Sequence, residues 1–222
     1  MVDTFTPPTL GAGPPRGGVG ATNRFVSLDA MGEKGAATRA RILEAARAEF
    51  AAYGIAGARV DRIAERAQAN KAQLYAHFGN KDSLFEAVLD DALVSIVDAV
   101  PIDGTDLPGY AVRLYDHYLD EPWLIRLATW TRLERRPTGP LTTEPMPREA
   151  EKLAAIAAAQ EAGLVDSTFS PADVFHTVIS LSMTWSPAST TFAASAADAA
   201  ADHDRRREVL RTVVERAFAP GA

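Results

Sequence analysis

Six side chains with charged or hydrogen-bonding ends crowd between positions 71 and 81: Lys71, Gln73, Tyr75, His77, Asn80 and Lys81. Within Lys71-Ala-Gln-Leu-Tyr-Ala-His-Phe78, Leu74 and Phe78 stand four apart and share one helical face. That spacing turns Lys71, Ala72, Gln73, Tyr75 and His77 outward. A glutamine on such a face carries an amide that pairs bidentately with adenine in the major groove, and a lysine reaches guanine or a phosphate. Asn70 stands where a side-chain oxygen caps the helix that follows. Lys81 opens the next helix, at an N-terminus whose amides attract anions. Bond-making chemistry has far less support. The chain holds no cysteine, no His-Glu-x-x-His, no Gly-x-Ser-x-Gly and no Gly-x-x-x-x-Gly-Lys-Ser/Thr loop. The nearest approach to a metal set is Asp116, His117, Asp120 and Glu121, which falls on two adjacent stripes of one helix end. Neither a metal nor a cofactor is expected.

The pattern around these side chains is helical. From Thr38 onward, Ile42, Ala46, Phe50 and Tyr53 recur at three- and four-residue steps, with Arg39, Arg41, Glu44 and Glu49 largely off the stripe. Gly54 is the expected stop of this first helix. Residues 60–67 form a short second helix with Val60, Ile63, Ala64 and Ala67 inward, and Gln68-Ala69-Asn70 breaks it from the third. Two short helices joined by such a turn make a helix-turn-helix, whose second member enters the major groove while its neighbours brace it. A fourth helix carries Leu84, Phe85, Val88, Leu89, Ala92, Ile96 and Val97 up to Pro101. Further helical patterns cover 107–119, 123–133, 148–162, a segment starting at Ser170-Pro171, and 205–218. Nothing alternates as a strand does, so the expected fold class is all-α.

Charge is divided unevenly along the chain. The 222 residues carry a formal −6, yet residues 32–81 hold nine Lys/Arg against five Asp/Glu, while 82–222 hold 12 against 22. A basic block on an acidic body is the balance of a polyanion-binding face on a self-soluble carrier. Residues 1–31 are rich in Pro and Gly and lack an apolar period, which is the composition of a disordered arm. Met31, where the arm gives way, is the expected natural start. The absence of cysteine fits a reducing compartment. No run approaches 18 consecutive apolar residues, and the start lacks a secretory signal. The expectation is a cytoplasmic protein with no membrane partner.

Several co-spaced segments then point to a family. They are Ile42-Leu-Glu-Ala-Ala-Arg-Ala-Glu-Phe50 with Tyr53-Gly54, Val60-Asp-Arg-Ile-Ala-Glu-Arg-Ala67, Leu74-Tyr-Ala-His-Phe78 and Asn80-Lys-Asp-Ser-Leu-Phe85. Over about residues 38–89 they resemble the DNA-binding domain of TetR-family (tetracycline-repressor-like) transcription regulators. The resemblance implies a helix-turn-helix domain over 32–82 and a helical ligand-binding and dimerisation domain over 83–222. It also implies phosphate contacts by Tyr75, His77 and Lys81. Arg39 and Arg59 then stand as flanking contacts, beside Asn70, Lys71, Ala72 and Gln73. Three departures stand out. Ala58 replaces the usual capping Thr, a loss of typically about 1 kcal/mol. Gln68 replaces the turn glycine, with a left-handed strain of roughly 1–2 kcal/mol. Ala72-Gln73 replaces a common Gly-Thr pair.

For the second half, the resemblance implies a four-helix dimer interface built from the last two long helices of each subunit. The stripes Val174, Val178, Leu181, Trp185 and Leu210, Val214, Phe218 are the candidates. It also implies an effector cavity among the central aromatics. Candidates are Tyr110, Tyr115, Tyr118, Trp123, Trp130, Phe175 and Met183, with Arg113, His117 and His176 as polar anchors. Arg205-Arg206-Arg207 reads as a solvated helix face. The implied partners are a palindromic double-stranded DNA operator, a small apolar or aromatic effector and a second copy of the chain. The effector acts by shifting the dimer to a state whose fourth helices have swung and whose recognition helices no longer match the groove. Two other readings stay open: a dimeric binding module whose helix-turn-helix has decayed, motivated by Ala58 and Gln68, and a helical-bundle enzyme.

Overall fold

The computed structural model describes residues 32–142 and 148–220. The arm expected over 1–31 lies outside them. Among the described residues every regular element is a helix. The head comprises α1 (Glu33–Gly57), α2 (Val60–Arg66) and α3 (Lys71–Phe78). The body comprises α4 (Lys81–Ala99), α5 (Leu107–Asp120), α6 (Pro122–Glu134), α7 (Glu149–Glu161), α8 (Pro171–Ser182) and α9 (Ala200–Phe218).

Local chemistry sets most of these starts. Asn70, Asn80, Asp106 and Ser170 each accept a hydrogen bond from the backbone N–H three residues on, at the heads of α3, α4, α5 and α8. Proline sits in the first two positions of α5, α6 and α8, where its missing N–H costs nothing. Two helices are longer than their apolar stripes. α1 begins at Glu33 rather than Thr38, because the Gly32 carbonyl accepts from the N–H groups of Gly35 and Ala36. α9 begins at Ala200 rather than 205, where two alanines favour the helix and Asp202 lies near the N-terminal dipole.

Gly54 bends α1 rather than ending it. Its φ of 71° and ψ of −177° break the helical path, and one more turn follows to Gly57. Tyr53, expected on the inner stripe, is exposed there and lies under the Arg62 guanidinium at 4.2 Å. The head core is Ile42, Phe50, Ile63 and Leu74, joined to the body by an edge-on contact of Phe50 with Phe85 of α4 at 5.1 Å. In the body, α5 packs on α6, α8 and α9, and α7 covers α8.

Candidate nucleic-acid interface and effector cavity

Helix α3 is held by its inward pair. Leu74 and Phe78 are buried, while Lys71, Ala72, Gln73 and Tyr75 are exposed and His77 is half-buried against the Phe78 ring. The turn before it keeps the left-handed geometry: Gln68 has φ 50°, stabilised by Gln68 N–H donating to Glu65 O and Ala69 N–H to Ala64 O. Tyr75, at 44% exposure, is turned to solvent rather than packed on α1.

The polar side chains of this face are engaged within the protein. Gln73 Oε1 accepts from Asn70 N–H at 2.9 Å while Asn70 Oδ1 accepts from Gln73 N–H at 2.8 Å, a reciprocal capping box. The cap takes the carbonyl oxygen of Gln73 and leaves its amide nitrogen for a base edge. Lys71 Nζ pairs with Asp61 of α2 at 2.6 Å, and that hydrogen bond raises the ammonium above its ordinary value. Lys81 donates to the carbonyls of Ala56 and Ala58, at 3.3 and 3.2 Å, tying α4 to the turn ahead of α2. Arg39 lies over the Phe78 ring at 5.2 Å. Arg59 is exposed and precedes α2 without a side-chain cap.

The missing cap is replaced from α1. Glu49 is only 7% exposed. Its Oε1 accepts from Arg59 N–H at 2.9 Å and from Arg62 Nε at 2.8 Å. The residue at the head of α2 is Arg59, and its own N–H, the one a capping-box glutamate would take, is met by a carboxylate ten positions away. This contact was not foreseen, though a helix start without a Ser, Thr, Asp or Asn was the signal that an acceptor had to come from elsewhere.

Helix α6 joins head to body. Glu134 Oε2 accepts from Ala56 N–H at 2.7 Å, and Trp130 Nε1 reaches Ala51 O at 3.4 Å. A Cβ on Gly54 would lie 2.5 Å from Glu134 Oε1 and 2.9 Å from the Trp130 ring, so α6 presses on the bend itself. Arg135 pairs with Asp82 at the head of α4, and Arg47 of α1 stacks on Trp123 at 4.4 Å.

The expected cavity residues scatter. Tyr115 and Tyr118 line a cavity of about 290 Å³, whose other walls include Trp185, Ser182, Ser186 and Ala194. Trp185, expected at the dimer interface, is therefore a cavity wall. Trp123 and Trp130 serve the junction with α1 instead. Tyr110 is buried beside the cavity without lining it, and burial pushes its phenol up to about 12. Arg113 pairs with Asp106 at 3.1 Å on the outside, and His176 is exposed. Phe175 is buried beneath the Lys152 ammonium at 5.2 Å. His117 and Met183 are partly buried away from the cavity walls. In the suggested metal set, Asp116 pairs with Arg207 at 2.9 Å and Glu121 accepts from Trp123 Nε1.

The two stripes assigned to a dimer interface lie inside one subunit. Val174, Val178, Leu210, Val214 and Phe218 are buried against the subunit's own body, and Leu181 is partly buried. Their periodicity reported burial correctly but could not say by what. The apolar side chains left in the open on α9 are Val209 and Val213, 43% and 42% exposed. The arginine run also differs from a solvated face. Arg206 is buried and pairs with Asp198 at 2.8 Å, because the inner side of α9 runs through His203, Arg206 and Leu210.

Comparison with known proteins matches both halves. Residues 42–88 match the family described as bacterial regulatory proteins, tetR family, and residues 106–216 match the tetracyclin repressor-like C-terminal domain. The chain is 36% identical to the HTH-type transcriptional repressor SCO4008 of Streptomyces coelicolor, over 81% of this chain and 96% of the relative. The chain belongs to the TetR family. The crystal structure of transcriptional regulator SCO4942 from Streptomyces coelicolor superposes with a TM-score of 0.67 at 38% identity, covering 83% of this chain and 99% of that one. Another solved structure, described as the molecular basis for control of antibiotic production by bacterial hormones, gives a TM-score of 0.60 at 25% identity. It covers 85% of this chain and 99% of its own.

TetR-family proteins are DNA-binding transcription regulators that respond to ligands and function as dimers, and they are not enzymes. Among the described residues no helix is long and apolar enough to cross a membrane.

Proposed function

We propose that this chain is a homodimeric, cytoplasmic repressor that holds a palindromic operator and leaves it when a small aromatic molecule enters the cavity beside Tyr115, Tyr118 and Trp185. The observation that carries the DNA half is the exposed face of α3, from Lys71 to His77, raised on a buried Leu74–Phe78 base. The head spans 32–82, with the ligand and dimer functions in 83–222. Gln73 contributes its amide nitrogen to a base edge. Tyr75, His77, Lys71 and Lys81 meet phosphates, with Arg39 and Arg59 at the flanks, while Asn70 and Ala72 set the start of α3 against the groove. Val209 and Val213 of α9 form the apolar centre of the dimer contact. A two-fold dimer presents its recognition helices to successive major-groove turns, about 34 Å apart.

The test is selection of duplexes from a random library, followed by gel shifts on the winner. Wild type is expected to enrich a palindrome. Gln73→Ala is expected to relax preference at one base pair in each half-site, costing roughly 1–3 kcal/mol. Lys81→Ala is expected to weaken all sequences alike and to reduce the salt slope by about 1. Failure to enrich any sequence, with folding intact, overturns the operator reading and restores the decayed-module alternative.

A further inference from the structure

The cavity between α5, the C-terminal end of α8 and the connection running to α9 has a composition that narrows its ligand. Three aromatic side chains, Tyr115, Tyr118 and Trp185, supply flat walls, with the Tyr115 and Trp185 rings 5.8 Å apart and edge-on. Among the described residues that line it, none carries a formal charge. The nearest charges are committed behind the wall. Arg206 lies beside the Tyr115 hydroxyl and is neutralised by Asp198 at 2.8 Å. An anionic ligand would find no cation among those lining residues, and a cationic one would find no carboxylate. Burying either charge unpaired is prohibitive.

The hydroxyls are not equivalent. Tyr115 Oη is taken by His203 Nδ1 at 2.8 Å, and Ser182 donates to Val178 O at 2.8 Å, while the Oγ atoms of Ser186 and Ser195 accept from the N–H groups of Ala188 and Ala197 at 3.3 and 3.2 Å within their own turns. Tyr118 is only 6% exposed and lines the cavity, and among the described residues no group hydrogen-bonds its phenol. Burial of the side chain, with Tyr110 beside it, pushes that phenol well above its usual range, so it is an O–H donor at any ordinary pH. The hydroxyl is not among the buried unpaired polar atoms, so it opens onto the cavity it lines, where a ligand acceptor can take its hydrogen bond. The volume, about 290 Å³, is at the low end for ligand sites of ≈ 300–1,000 Å³ and corresponds to roughly ten waters at ≈ 30 Å³ each.

We infer that the effector is an uncharged, one- or two-ring aromatic molecule carrying a hydrogen-bond acceptor, and that Tyr118 is the residue that selects for that acceptor. The inference rests on the regulator reading only for the word effector; the binding chemistry stands apart from it. The experiment titrates the full-length protein with four probes sharing one ring: acetophenone, ethylbenzene, benzoate and benzyltrimethylammonium. Binding is followed by calorimetry and tryptophan fluorescence, in wild type, Tyr118→Phe and the cavity-filling Ala194→Trp.

Acetophenone is expected to bind wild type most tightly, to lose about 3- to 10-fold in Tyr118→Phe and to be excluded by Ala194→Trp. Ethylbenzene is expected to be indifferent to Tyr118→Phe. Ligand-free Tyr118→Phe is expected to melt no lower than wild type, since the hydroxyl it removes opens onto the cavity and makes no hydrogen bond to a described residue. Benzoate or the ammonium binding as well as acetophenone overturns the inference, as does an unchanged acetophenone affinity in Tyr118→Phe or saturable binding by none of the four. Acetophenone binding without any release of the selected duplex leaves the pocket chemistry standing and counts against the repressor reading alone.

Discussion

Replacing Glu49 by alanine tests the claim that α1 caps α2 from a distance. Glu49 Oε1 serves Arg59 N–H at 2.9 Å and Arg62 Nε at 2.8 Å. The first contact satisfies one backbone N–H at a helix start, worth typically about 1 kcal/mol. The second is open to solvent, since the Arg62 side chain is 39% exposed, and adds little. The expected loss is about 1 kcal/mol. Urea unfolding at fixed protein concentration reads it as a lower midpoint with unchanged m. Glu49→Gln keeps an oxygen for Arg59 and loses the charge, so its loss is expected to be smaller than that of the alanine variant. A Glu49→Ala protein within about 0.5 kcal/mol of wild type, the range of ordinary surface changes, would refute the reasoning.

Three further outcomes follow from the same contacts. Gly54→Ala places a Cβ against Trp130 at a φ of 71° and is expected to cost about 2–4 kcal/mol by thermal or chemical unfolding; a neutral effect would mean the bend is not held by α6. Asp61→Asn frees Lys71 from its partner, and is expected to strengthen binding to all duplexes and to steepen the salt dependence of affinity by up to about 1, measured by gel shift over a salt series. Val209→Asp with Val213→Asp is expected to yield folded monomers by sedimentation that no longer shift DNA, whereas Val174→Asp is expected to unfold the subunit because Val174 is buried within it.

Short-range relations were legible in the amino-acid sequence. The four-residue step from Leu74 to Phe78, the break at Gln68 and the caps at Asn70 and Asn80 all rest on chemistry within a turn or two. What sequence could not supply was the partner across the fold. Lys81 reads as an unengaged cation in the sequence, and only the fold shows its ammonium on the carbonyls of Ala56 and Ala58, more than twenty residues upstream. Val174 and Val214 announce burial, but an apolar stripe looks the same whether its own subunit or a second copy covers it. The aromatics divide for the same reason. Tyr118 and Tyr115 border the cavity, while Trp123 and Trp130 are spent on α1, and nothing in their types or spacing separates the two fates. Glu49 is the intermediate case, since its partners Arg59 and Arg62 are ten and more residues away but the lack of a capping side chain at the start of α2 is visible.

The pairing of Lys71 with Asp61 bears on how the head behaves under osmotic stress. A cation that arrives at a phosphate with its own carboxylate releases fewer condensed ions from the duplex than a bare one, and ion release is what makes occupancy collapse as salinity rises. Lys81 is tethered to backbone carbonyls in the same way. Under the proposed docking, such a head trades grip in dilute buffer for constancy, and the fraction of occupied sites changes less with salinity than its tally of lysines and arginines implies.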